Sequence, residues 1–184
     1  MGYYFSPFRK EYHELIHKKG GPRECPFCSV DNIEHQAVRD MQGKAIENTH
    51  SRWMINLYPY CNAHTLVVPK RHISDIHDFS PEELQAHHDL IAFAADALQK
   101  LYPEAGIEIF LQYGKGSRMS IPHLHHHVVP ALPGDQFRGL EKHEFFECLE
   151  EGKEKVIMLP AEVTLARGDL QKALAEVIGT YTVA

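Results

Sequence analysis

The chain is expected to fold as an α+β domain with an antiparallel sheet and one long helix. Three features of the sequence predict this. Four or five short apolar stretches, rich in β-branched residues and bounded by Pro, Gly, Asn or Ser, read as strands. One segment, opened by Ser80-Pro81-Glu82-Glu83, carries a full set of helix-start signals and a long apolar stripe. That helix falls between groups of strands and does not alternate with them, the order of an α+β fold.

In chain order, Ser6-Pro7 followed by Phe8, Tyr12, Leu15 and Ile16 predicts a short amphipathic helix ending at Gly20-Gly21-Pro22. Cys25-Pro26-Phe27-Cys28 follows in a turn. From Lys44 to Tyr58, apolar residues flank Asn48-Thr49-His50-Ser51, the pattern of a hairpin. His64 to Val68 reads as a buried strand stopped by Pro69. The long helix takes Ser80 as cap, Pro81 at its first position and Glu83 as the other half of a capping box. Leu84, Ile91, Ala95 and Leu98 form one stripe as it runs to about Leu101. Strands are predicted over Ile107–Tyr113 and His123–Val129, joined by the Gly114-Lys115-Gly116-Ser117 loop. A helix over Phe137–Glu150, a strand over Val156–Leu159 and a helix over Asp169–Ile178 complete the chain. The organisation expected is a helical lead-in (1–23), a central domain (24–132) and a C-terminal extension (133–184).

At 184 residues, with 43% hydrophobic and 24% charged, the chain has the composition of a globular protein with one core. Its apolar runs fall well short of the roughly 18 residues a membrane helix needs, so no membrane association is expected. The N-terminus has no secretory pattern, and a cytoplasmic protein is expected. Nineteen basic against 25 acidic residues give a net charge of −6, which argues against general nucleic-acid binding. An anionic ligand must therefore be met locally. Without a secretory pattern, the Cys25-x-x-Cys28 pair favours metal or redox use over a disulfide framework.

Histidine is the outlying count, at 14. On a strand, His123, His125 and His127 share one face at intervals of about 6.6 Å, with Leu124, His126 and Val128 on the other. From spacing alone this fits a solvated edge strand, an adventitious metal site or a functional site. Neighbouring imidazoles disfavour each other's protonation, and a neutral imidazole can attack phosphorus.

Pro122-His123-Leu124-His125-His126-His127-Val128-Val129-Pro130 resembles the signature of the histidine triad (HIT) superfamily. Asn56 to His72 resembles that family's strand-turn-strand before its long helix, and Gln112-Tyr113-Gly114-Lys115-Gly116 its glycine loop before the triad. The resemblance covers roughly residues 24–132. It implies a HIT-like antiparallel sheet, a homodimer, and a site for a nucleotide or nucleotide conjugate. His125 takes the nucleophile's place, His127 contacts phosphate oxygens, and Ser120 stands near the leaving group. Gln112 lies beside the phosphates, while Asn56 and His64 take the ribose and phosphate positions. Three departures stand out: His126 where the family has an apolar residue, Met119 where it has glutamine, and Lys115 and Arg118 in a loop that is more often neutral. These two cations read either as solvated loop charges or as contacts to a longer anionic chain.

The two cysteines resemble the zinc knuckle of a subset of the family, in which Cys25, Cys28, His72 and His123 hold a structural Zn2+. A redox role lacks the βαβ context expected after such a motif. The activity implied is nucleotidyl hydrolysis at the α-phosphorus of nucleoside phosphoramidates, dinucleoside polyphosphates or related conjugates, through a covalent nucleotidyl-histidine. The alternatives are a transferase or phosphorylase using phosphate or a phosphate ester as acceptor, and a non-catalytic nucleotide-binding module.

Overall fold

A computed structural model describes residues 25–28, 46–56, 63–117, 119 and 121–131. The elements expected over 6–19, 137–150, 156–159 and 169–178 lie outside them, as do Arg118 and Ser120. So do the lead-in (1–23) and the C-terminal extension (133–184).

Five strands form one antiparallel sheet: β1 (Ile46–Glu47), β2 (Ser51–Ile55), β3 (Thr65–Pro69), β4 (Gly106–Leu111) and β5 (His126–Ala131). Their order is β1-β2-β3-β5-β4, so β3 and β5 are central. Among the described residues a single long helix, α1 (Pro81–Leu101), covers one face. The fold class is the one the sequence predicts.

The helix starts as its sequence dictates. Ser80 Oγ accepts from Glu83 N at 3.2 Å, and Ser80 N donates to Glu83 Oε2 at 2.9 Å. This capping box satisfies two backbone donors that the first turn would otherwise strand. Arg71 grips Glu83 with two N–H groups, at 2.7 and 2.8 Å, and donates to the Asp78 carbonyl at 2.6 Å. The segment leading into the helix is thereby tied to its first turn. The buried side of α1 carries His87, Leu90, Ile91, Ala94, Ala97 and Leu98. Its apolar members pack against Trp53, Val67 and Val128 of the sheet. Burying a Leu, Ile or Val contributes about 1.5–3 kcal/mol each. Asn48 shapes the β1–β2 turn, its Oδ1 accepting from His50 N and Ser51 N, and its Nδ2 reaches the Ala86 carbonyl on α1 at 2.6 Å.

Several boundaries differ from expectation, and β4 ends at Leu111, not Tyr113. The ladder of β5 begins at His126, not His123. Leu124 N donates to the Ile73 carbonyl at 2.7 Å and His123 N to Ile121 at 2.8 Å, so this stretch spends its backbone bonds locally and on the loop before α1. Pro130, expected to stop the strand, lies within β5, opposite Ile107. The β3 pairing has already ended at Val128, so a missing N–H costs the ladder little there. Pro69 is accommodated the same way, past the last β3–β5 pair at Val67–His126.

Candidate functional site

The face of the sheet away from α1 gathers two groups of side chains, joined by the His123–His127 stretch. In the first, ligand atoms of Cys25, Cys28, His72 and His123 all lie within 4.8 Å of one another. Cys25 Sγ is 3.3 Å and Cys28 Sγ 3.5 Å from His123 Nδ1, and Cys28 Sγ is 3.3 Å from His72 Nδ1. A tetrahedral zinc with ordinary bond lengths would set sulfur and nitrogen about 3.6 Å apart. The spacing and the S2N2 donor set fit that ion.

His123 is prepared for the role. Its Nε2–H donates to the Pro69 carbonyl at 2.9 Å, which leaves the Nδ1 lone pair facing the sulfurs. Pro69 can supply that carbonyl because β3 has no β5 partner at this point. Burial holds the His123 imidazole down to about 4, neutral and ready to ligate. Burial, reinforced by the neighbouring Cys25, pushes the Cys28 thiol up to about 11. Two crowded sulfurs cannot both ionise without a cation to share.

The second group holds the remaining triad positions. His125 Nδ1–H donates to the His123 carbonyl at 2.7 Å, so Nε2 carries its lone pair. Burial lowers the imidazole's pKa, favouring the neutral ring. Its ring lies 5.1 Å from Phe27, inside the cysteine turn, and 5.0 Å from His127. His127 Nδ1 meets His64 Nε2 at 2.7 Å, and Asn56 Nδ2 is 3.1 Å from the same His64 nitrogen. Ala63, just before His64, takes a left-handed φ of 59°, which turns the chain into β3 at a cost of about 1 kcal/mol. His64, His123, His125 and His127 are all buried.

The expected metal ligands thus come together, as do Asn56, His64, His125 and His127. Gln112 follows the last residue of β4 and is half-buried. Lys115 stands exposed between Gly114 and Gly116, whose φ angles of 78° and 86° let the loop fold back tightly. Ser117 closes that loop by donating both N–H and O–H to the Gly114 carbonyl. Tyr113 O–H donates to Asp75 Oδ1 at 2.8 Å, bracing the loop against the segment that carries His72. Met119 is half-buried.

Three residues escaped the sequence reading. His87 is fully buried on α1, behind the triad, where its Nδ1 is 2.9 Å from Ser51 Oγ and its Nε2 2.9 Å from His126 Nδ1. It falls four residues before Ile91 and eleven before Leu98, on the predicted stripe, which was the available signal. Phe27 was visible only as a spacer between cysteines. Phe110, on β4 two residues before Gln112, stacks on His127.

Residues 41–134 match the HIT domain. An uncharacterized HIT-like protein of Mycobacterium tuberculosis is 30% identical over 115 residues, which are 61% of this chain and 74% of that protein. An AP-4-A phosphorylase of the same organism is 28% identical over 136 residues, 71% of this chain and 68% of the other. The crystal structure of a Zn-bound histidine triad family protein from Mycobacterium smegmatis superposes with a TM-score of 0.52 at 23% identity, covering 86% of this chain and 98% of that one. This last likeness speaks for the fold. With the match spanning the sheet, the helix and all three triad histidines, the chain belongs to the HIT domain family.

Proposed function

We propose that the protein is a nucleotidyl hydrolase that cuts at the α-phosphorus of dinucleoside polyphosphates, nucleoside phosphoramidates or related conjugates. The observation that carries this reading is the His125 Nδ1–H bond to the His123 carbonyl, which fixes the tautomer and leaves Nε2 as a nucleophile in a buried, neutral ring. Nε2 attacks phosphorus, the bond to the leaving group breaks, and the leaving oxygen or nitrogen takes up a proton. Water then attacks the nucleotidyl-His125 adduct, releasing the nucleoside monophosphate and restoring the imidazole.

His127 receives the phosphoryl oxygens. Its Nδ1 is occupied by His64, so Nε2 is the nitrogen that addresses them. Ser120 attends the leaving group, Gln112 the phosphates, Asn56 the ribose, and Lys115 with Arg118 any further phosphates. Cys25, Cys28, His72 and His123 would hold a zinc ion, and a donor set of two thiolates and two imidazoles is one through which the ion would supply structure. A cytoplasmic homodimer completes the reading.

A phosphorylase, in which phosphate replaces water as acceptor, is the second reading, supported by the 28% identity to a protein of that name over 71% of the chain. A panel of nucleotide conjugates, incubated with and without inorganic phosphate, separates the two by product. Nucleoside monophosphate in both cases marks the hydrolase, and a phosphate-dependent nucleoside diphosphate the phosphorylase. Quenched reactions should contain a nucleotidyl group bound to His125. No adduct and no turnover with any conjugate would leave a nucleotide-binding module.

A further inference from the structure

Phe110 and His127 are direct cross-strand partners on β4 and β5. Their rings stack with centroids 4.5 Å apart and planes only 6° from parallel. The other rings around His127 are inclined to it, His125 by 58° and His64 by 44°, each with its centroid 5.0 Å away. The stack is thus the one flat surface His127 meets among these partners. Glu108 and Phe110 share one face of β4 by strand alternation, and the strand ends one residue later, just before the segment that leads to the glycine loop.

The consequence is geometric. The 2.7 Å contact with His64 sets where Nδ1 of His127 points, and the parallel face of Phe110 lies along the plane of its ring. Together the two contacts set both the pivot and the plane of the ring, and hence the line along which Nε2 reaches outward. A π face also makes no hydrogen bond that would compete for Nε2.

We infer that Phe110 is a positioning residue for His127, fixing the plane in which that imidazole meets the phosphoryl group. The inference rests on the reading of this face as a nucleotidyl-transfer site. It distinguishes an aromatic ring from mere apolar bulk at position 110, because Leu fills similar space without a flat face.

The test compares F110Y and F110L with wild type on diadenosine tetraphosphate, with AMP binding and the His127 ring resonances followed in parallel. Tyr keeps the stack and should leave kcat within about twofold. Leu should lower kcat about tenfold while KM stays within about twofold, because orientation matters more in the transition state than in binding. In F110L the ring protons of His127, released from above a benzene face, should move downfield, and in F110Y they should not. Melting temperatures establish that each variant is folded. An F110L protein that is folded and as fast as wild type, or one slowed through KM alone, overturns the inference. A wild type that neither turns over any nucleotide conjugate nor binds AMP overturns the functional reading itself, and this assignment falls with it.

Discussion

Nε2 of His87 on α1 lies 2.9 Å from Nδ1 of His126 on β5, so a buried imidazole pair couples the helix to the strand bearing His125 and His127. Ser51 Oγ continues the row at 2.9 Å from His87 Nδ1. One proton sits between each adjacent pair of atoms, and all must run in the same direction for the row to be satisfied. The family's apolar residue at position 126 needs no such partner. Here a polar side chain behind the triad is matched by another polar side chain on the helix.

Removing both members should therefore cost less than the two single losses added together. His126→Leu strands Nε2 of a fully buried His87, and His87→Leu strands Nδ1 of His126. Each single change should destabilise by about 1–3 kcal/mol, whereas the double change leaves an apolar contact and costs less than the sum. Denaturant unfolding of the four proteins at pH 7 measures the coupling. Strictly additive losses would mean that the two rings do not share a proton.

The same row should make stability pH-dependent. Burial holds His87 down to about 3 and His126 to about 4, both below the ordinary value of 6.5. Between about pH 4 and pH 6.5 the unfolded chain binds protons at these positions that the folded chain refuses. Stability therefore rises with pH across that window, and it falls as the solution is acidified from pH 7 towards 4. Each group can contribute a slope of up to about 1.4 kcal/mol per pH unit. Unfolding curves at half-unit intervals should show the loss, and the His87→Leu/His126→Leu protein should show a shallower one. An identical slope in that variant would assign the acid sensitivity to other groups.

What the sequence revealed and what it hid follow from the range of the interactions. The capping box at Ser80 and Glu83 and the stripe through Ile91 and Leu98 are local, and their residues predict them. Cys25 and Cys28 announce a knuckle by spacing, while the closure onto His72 and His123 came through family resemblance. The start of β5 was misplaced because the Leu124 N–H bonds Ile73, 51 residues away, a contact with no local signature. Alternation put His123, His125 and His127 on one strand face. The rings do cluster, but the backbone under His123 has left the ladder, its N–H bonding the Ile121 carbonyl, while the imidazole serves the Pro69 carbonyl and the two thiols. His87 and Phe110 were equally hidden, since each takes its meaning from a histidine on another element.

The purified protein should hold about one zinc per chain, bound by Cys25, Cys28, His72 and His123. Chelation should lower the melting temperature, because a site assembled only in the folded chain adds its binding energy to folding. Cys25→Ser should lose metal and stability first and activity second, as the His123 anchor loosens and Phe27 withdraws from the His125 ring. His125→Ala should keep the metal and bind nucleotide, yet lose turnover by several orders of magnitude. Metal analysis showing zinc retained in Cys25→Ser but lost in His125→Ala would move the ion onto the triad.

The glycine loop yields the last prediction. Lys115 is exposed at its tip, held there by left-handed Gly114 and Gly116 and by the Ser117 contacts to the Gly114 carbonyl. Arg118 follows three residues later in the sequence. On a chain of net charge −6, two cations in the sequence just before the triad are a local means of attracting phosphates beyond the one being cut. Exposed contacts of this kind are weak and screened by salt. Replacing both residues with glycine should raise KM for dinucleoside polyphosphates by about fivefold at low ionic strength, and by less at high salt. KM for a nucleoside phosphoramidate, which has no further phosphates to meet, should barely change, and kcat should hold for both substrates. Steady-state kinetics on the two classes at two salt concentrations decides the matter. If KM rises equally for both, the loop charges do not read the length of the phosphate chain.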